Sequence, residues 1–138
     1  MTEQSEIYHL VAEPDLWAAI EGDAYAPASL ADEGFIHCTG ERDTLPVLAD
    51  DCFASATGPM LVLAIAVDRL AAECRFEPPA PVPGAGTAHL QEGLLFPHIY
   101  GPLNLDAVTA VGVLGRGDEG YTMPGAWEPG EAFLARGA

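Results

Sequence analysis

Met60-Leu-Val-Leu-Ala-Ile-Ala-Val67 is apolar without a break, and no other stretch of the chain is as long. Gly58-Pro59 precedes it and Asp68-Arg69 follows. Its length suits a strand and falls well short of the ~18 apolar residues that a membrane helix needs. A strand with no polar side has to be covered on both faces, so this run is expected at the centre of a sheet. The remaining pattern supplies layers to cover it. Glu6–Val11 alternates and predicts a strand, with Ile7, His9 and Val11 on one face and Tyr8 and Leu10 on the other. A helix is expected from about Pro14 to Glu21, with Pro14 in its first turn and Gly22 ending it. Residues 23–33 carry no clear period and are expected as a loop or short irregular piece.

Gly34–Thr39 predicts a second strand, with Phe35, His37 and Thr39 on one side and Ile36 and Cys38 on the other. Leu45, Leu48, Ala49, Cys52 and Phe53 recur at helical spacing and predict a helix over about Glu41–Ser55, starting late if Pro46 is to sit in its first turn. Asp68–Ala72 reads as a short helical turn and Cys74–Glu77 as a short strand. Pro78–Gly86 holds four prolines and two glycines, which predicts a stiff surface loop or a flap over a cleft. Phe96–Tyr100 is expected to be extended, at a sheet edge or bulge because of Pro97. Ala107–Leu114 is the last expected strand. At 138 residues the chain suits one domain, taken as residues 1–116 with a tail, 117–138, packing on it or partly flexible. Helices early and strands late point to an α+β domain.

Three of the four histidines lie inside these apolar strands: His9, His37 and His98. A buried imidazole is costly unless its ring nitrogens find partners. Their recurrence predicts that the fold gathers them into one polar cleft, with Tyr100 two residues beyond His98 on the same face. His89, after the proline-rich stretch, is expected at the surface.

Charge narrows the partners. Five arginines, no lysine and twenty-one acidic residues give a net charge of −16. Nucleic-acid affinity rests on basic groups that neutralise phosphates, so nucleic-acid binding is not expected. Schiff-base chemistry and a phosphate loop that needs lysine are excluded. No Gly-x-Gly-x-x-Gly follows the first strand, which removes a regular Rossmann reading. Cys38, Cys52 and Cys74 are odd in number and far apart, which speaks against a disulfide framework or a cysteine zinc site. Cys38 and Cys52 read as core packing, and His37 and Cys38 should face opposite sides of their strand. The N-terminus lacks a basic, apolar leader, so a cytoplasmic location is expected.

The segments Tyr8-His9-Leu10, Trp17, Tyr25, Ser29-Leu30, Glu33-Gly-Phe-Ile-His-Cys38, Asp68, Arg75-Phe-Glu77 and Phe96-Pro-His-Ile-Tyr-Gly-Pro-Leu103 resemble the bacterial family known as domain of unknown function 952. The resemblance runs from about Ile7 to Val113 and leaves the tail past about Arg116 unexplained. The opening, a Tyr-His strand, a helix with Trp and a strand ending Ile-His-Cys, is also distantly similar to ADP-ribosyltransferase-like proteins, nearest the RNA 2′-phosphotransferase branch. That likeness covers about Ile7–Thr39. It implies a curved or split mixed β-sheet, two main helices near the N-terminus and a cleft for NAD. It implies that His9 binds the nicotinamide ribose and that His37 lines the nicotinamide pocket. The acidic chain departs from a branch that acts on RNA phosphate. No glutamate stands clearly on the usual late catalytic strand; Glu77, Glu92 or His98 are the stand-ins.

The candidate catalytic residues are therefore His9, His37, His98 and Tyr100, with Tyr25, Ser29, Glu33, Thr39, Arg75 and Glu77 as candidate ligand-binding residues. The expected partner is a small molecule, with NAD or a related nucleotide as the ligand the likeness implies; no residue is assigned to a metal. Two other readings stay open. One is a hydrolase with a metal on His9, His37 and His98. The other is a binding module in which the histidines only build the cleft.

Overall fold

The computed structural model describes residues 5–54, 56, 58–78 and 95–137. In chain order they form β1 (Glu6–Ala12), α1 (Glu13–Ala19), β2 (Ile20–Glu21), β3 (Ala24–Tyr25), α2 (Ala28–Glu33), β4 (Ile36–His37), α3 (Leu45–Cys52), β5 (Met60–Ala66), β6 (Glu73–Glu77), β7 (Phe96–Tyr100), β8 (Leu103–Asn104), β9 (Val108–Val113), β10 (Gly115–Gly117), β11 (Gly120–Thr122), β12 (Trp127–Pro129) and α4 (Gly130–Leu134). Most of the proline-rich stretch, with His89 and Glu92, lies outside the described residues. The architecture is α+β. Among the described residues, no helix is long and apolar enough to cross a membrane.

The main sheet runs β1-β5-β9-β12. The apolar run is an inner strand, as its composition demands. Leu61, Leu63 and Ile65 enter one core with Ile7, Val11, Leu16, Tyr25, Ile36, Ile99 and Phe133. Met60, Val62 and Ala64 enter a second core with Tyr8, Leu45, Ala49 and Tyr121. Period-two alternation thus divides one apolar strand between two layers. A smaller sheet runs β4-β7-β6. Its inner side sends Ile36, Cys38 and Ile99 into the first core. A backbone bridge joins the two sheets: Tyr8 and Thr39 exchange N–H···O bonds of 2.8 Å each.

Several expectations need correction. Among the described residues every strand pairing is antiparallel, where a mixed sheet was implied. There are four short helices among the described residues rather than two main ones, and three of them precede residue 53. The first helix stops at Ala19, and Gly22 (φ 61°) opens the turn between β2 and β3 instead of capping it. The piece expected as irregular contains α2. Gly34, expected in a strand, closes that helix at φ 91°, its N–H bonding Leu30 O. The expected second helix is confined to Leu45–Cys52, after a 3₁₀ turn at Arg42–Thr44.

Cys52 is only half-buried, not core. β7 lies in the middle of its sheet, not at an edge. Pro97 is tolerated there because its carbonyl accepts from Cys38 N (3.1 Å). The donor it lacks would face that same residue, just past the end of β4. Beyond residue 114, β12 pairs with β9 and Phe133 joins the first core.

Candidate functional site

The seam between the two sheets organises the site. His9 stands on β1 beside the Tyr8–Thr39 bridge and is 7% exposed. Its Nδ1 lies 2.6 Å from the carbonyl oxygen of His37. A carbonyl can only accept, so Nδ1 carries the proton and Nε2 is the acceptor. Nε2 in turn receives the Tyr25 hydroxyl at 2.7 Å. Both ring nitrogens are therefore used. Burial is the main cause that lowers the His9 pKa to about 4; the His37 carbonyl opposes this and the His37 imidazole adds to it. Burial likewise pushes the Tyr25 phenol up, with Cys38 and Asp15 adding to the shift. This keeps Tyr25 a neutral donor.

His37 and His98 face each other across the β4–β7 ladder, where they are register partners. Their rings meet edge to face at 5.7 Å. Phe35 stacks on His98 at 4.2 Å and touches His37 at 4.9 Å, forming an aromatic floor. Each imidazole has its own carboxylate. His37 Nε2 donates to Glu33 Oε2 at 2.9 Å. Gly34 makes this possible, because its left-handed turn folds the end of α2 back along β4. His98 Nδ1 donates to Glu77 Oε1 at 2.9 Å. The β6–β7 register puts Arg75 opposite His98 and Glu73 opposite Tyr100. The Tyr100 hydroxyl also donates to Glu77. These donors, Tyr100 first and then His98, hold the Glu77 carboxyl below the usual carboxylate range, while the same bond raises the Tyr100 phenol.

A cavity of about 560 Å³ lies against this seam. His9, His37 and His98 all line it, with Tyr25, Ser29, Glu33 and Thr39. Tyr100, Arg75 and Glu77 do not. They stand in a row beside His98, where Arg75 pairs with Glu73 (2.9 Å) and lies over the Tyr100 ring at 4.5 Å. Among the described residues, His98 Nε2 has no hydrogen-bond partner, although the residue is only 3% exposed. Thr39 is buried beneath the bridge and its hydroxyl accepts from Glu41 N at 3.2 Å. As expected, Cys38 faces the core, away from His37, and burial raises its thiol pKa.

Sequence reasoning missed Phe35 as a site residue, although its alternation with His37 carried the signal. It also missed Asp15 and Asp32, which line the cavity. A second hollow of about 1300 Å³, beside Trp17 and Leu134, contains none of the histidines. Among the described residues, no three His, Cys, Asp or Glu side chains are grouped to hold a metal ion. His9 would have to give up the Tyr25 hydroxyl at Nε2 to become a ligand, which weighs against a metal on the three histidines.

An imidazole whose Nδ1–H is held by a carboxylate presents Nε2 as a base or acceptor. The cavity volume falls within the usual range for small-ligand sites, ~300–1,000 Å³.

Comparison with known proteins places the chain as follows. A family model described as "Protein of unknown function (DUF952)" matches residues 11–111. Two crystal structures of protein CC0527 from Caulobacter crescentus are similar in fold. One is a double mutant, with TM-score 0.66 and 21% identity. The other has TM-score 0.64 and 24% identity. Each alignment covers 85% of this chain and 92% of the other. No curated protein matches.

Proposed function

The chain belongs to the DUF952 family, and we propose that its histidine-lined cavity is the ligand site of a small-molecule enzyme. The ligand is a ring attached to a hydroxyl-rich group, with NAD or a related nucleotide offering its base-and-ribose end as the working choice. One observation carries the reading. Three imidazoles from β1, β4 and β7 meet one cavity, and one of them, almost fully buried, keeps a ring nitrogen with no partner among the described residues. Native proteins seldom leave such a group without a partner.

Each residue then has a distinct part. His98 Nε2 accepts a proton from a ligand or acceptor hydroxyl. Glu77 fixes the tautomer and stabilises the imidazolium that forms, and Tyr100 positions Glu77. His37 and Glu33 form a second pair beside it, with His37 on the same sheet. Ser29 and Thr39 offer hydroxyls. His9 is a positioning residue, since its nitrogens already serve Tyr25 and the β4 backbone. Arg75 acts at a distance by restraining Tyr100. NAD would supply a sugar bonded to a good leaving group. The aromatic wall and the neighbouring carboxylates suit that ring and sugar.

The test is thermal unfolding of the full chain with millimolar NAD, ADP-ribose, nicotinamide and nicotinamide riboside. A ligand at 100 times its Kd adds about 2.7 kcal/mol and a shift of several degrees. His98→Gln should remove most of that shift without unfolding the protein. No shift with any of the four compounds refutes the reading.

A further inference from the structure

We infer that the cavity recognises the uncharged or cationic ring end of its ligand and makes no use of phosphate. This inference rests on the ligand-site reading above and narrows its substrate class.

The five arginines are the only permanent cations among the side chains. Every one is described, and none lines the cavity. Arg42 lies over the Tyr8 and Trp127 rings. Arg69 borders the other hollow. Arg75 is paired with Glu73. Arg116 donates to the carbonyls of Ala54 and Ala56 at 2.5 Å. Arg136 pairs with Glu128 at 2.6 Å. With no lysine in the chain, no other side chain carries a permanent positive charge.

The lining instead carries Asp15, Asp32 and Glu33. Among the lining imidazoles, His9 is held neutral by burial, and His37 and His98 each turn one ring nitrogen to a carboxylate. An anion entering this space meets three carboxylates and no arginine or lysine, the side chains that charge-assisted phosphate recognition uses. A ring cation meets the opposite field, and Tyr25 and Phe96 add aromatic side chains to the lining. Among the described residues the buried Nε2 of His98 has no partner, which leaves it open to a hydroxyl or N–H donor of the ligand.

A matched ligand series tests this by calorimetric titration of the full chain: nicotinamide riboside, its 5′-monophosphate, NAD and ADP-ribose. The expected order has the riboside at least as tight as either phosphorylated relative, and ADP-ribose weakest. Raising salt from 50 to 500 mM should weaken riboside binding about 3–10-fold by screening. Asp32→Asn should weaken it several-fold while leaving neutral nicotinamide unchanged. NAD or ADP-ribose binding tenfold tighter than the riboside would overturn the inference and leave the ligand site standing. Binding of none of the four removes the nucleoside reading and this inference together.

Discussion

Lowering the pH from 7 to 5 should destabilise the protein through one residue, His9. In the folded chain its pKa is about 4, against an ordinary 6.5. Between these values the unfolded chain binds a proton that the folded chain refuses, so stability rises with pH across that window and falls as pH drops through it. The 2.5-unit gap corresponds to roughly 3 kcal/mol when fully expressed below pH 4, of which about 2 kcal/mol is already lost by pH 5. Acidic residues complicate the raw profile, because protonating some of them relieves repulsion in a chain of net charge −16. The comparison should therefore be differential. Urea unfolding of the natural chain and of His9→Asn is measured at pH 7 and pH 5. Asparagine keeps an amide donor for the His37 carbonyl but cannot titrate. At pH 7 the variant should be less stable by about 1–3 kcal/mol, because the Tyr25 hydroxyl loses its buried acceptor. At pH 5 that deficit should shrink by about 2 kcal/mol. A deficit that is the same at both pH values would refute the claim that His9 is buried neutral between Tyr25 and the β4 backbone. So would an NMR titration in which the His9 ring turns over near 6.5.

Two other substitutions probe the same framework. Tyr25→Phe leaves His9 Nε2 buried without a donor and should cost about 1–3 kcal/mol in urea unfolding, with the far-ultraviolet spectrum unchanged; no measurable loss would contradict the bond. Gly130→Ala would drive a Cβ onto the Val108 carbonyl oxygen, where α4 meets β9, and should cost roughly 2–3 kcal/mol. Gly125→Ala, which meets nothing within 4 Å, should stay within about 0.5 kcal/mol.

The sequence was most legible where one physical requirement dominated. β5 had to be central because a strand with no polar side has no other stable position. β1 announced its two faces by alternation, and its residues do divide between the two cores. The stripe Leu45, Leu48, Ala49 marked α3 because those three side chains are buried. Elements that bury little left no trace. α2 is six residues long with none of them buried, so it has no apolar period to detect. The β2 and β3 strands are two residues each, held in part by β8, more than seventy residues further along the chain. Pro97 misled for a specific reason. Its penalty depends on where the missing donor would point, and that is fixed by a pairing with β4 that local sequence does not reveal.

The site divides along the same line. That His37 and Cys38 face opposite ways follows from strand geometry alone. That Glu33 reaches His37 depends on the left-handed turn at Gly34, and that Glu77 reaches His98 depends on the register of β6 against β7. These distant pairings decide what each histidine can do. His9 and His98 are nearly equal in burial, 7% and 3% exposed, so burial does not separate them. Counting partners does. His9 has two, one backbone carbonyl and one phenol, and its exchange would break the seam between the sheets. Among the described residues His98 has one, a carboxylate at Nδ1, and the nitrogen opposite is without a partner. A buried nitrogen with no partner carries a desolvation cost of about 1–3 kcal/mol unless something returns the bond. A structural histidine would have no reason to carry that cost, since the β7 position could hold an apolar residue against Phe35. The same cost makes the position favourable for a ligand donor, because binding restores what folding removed.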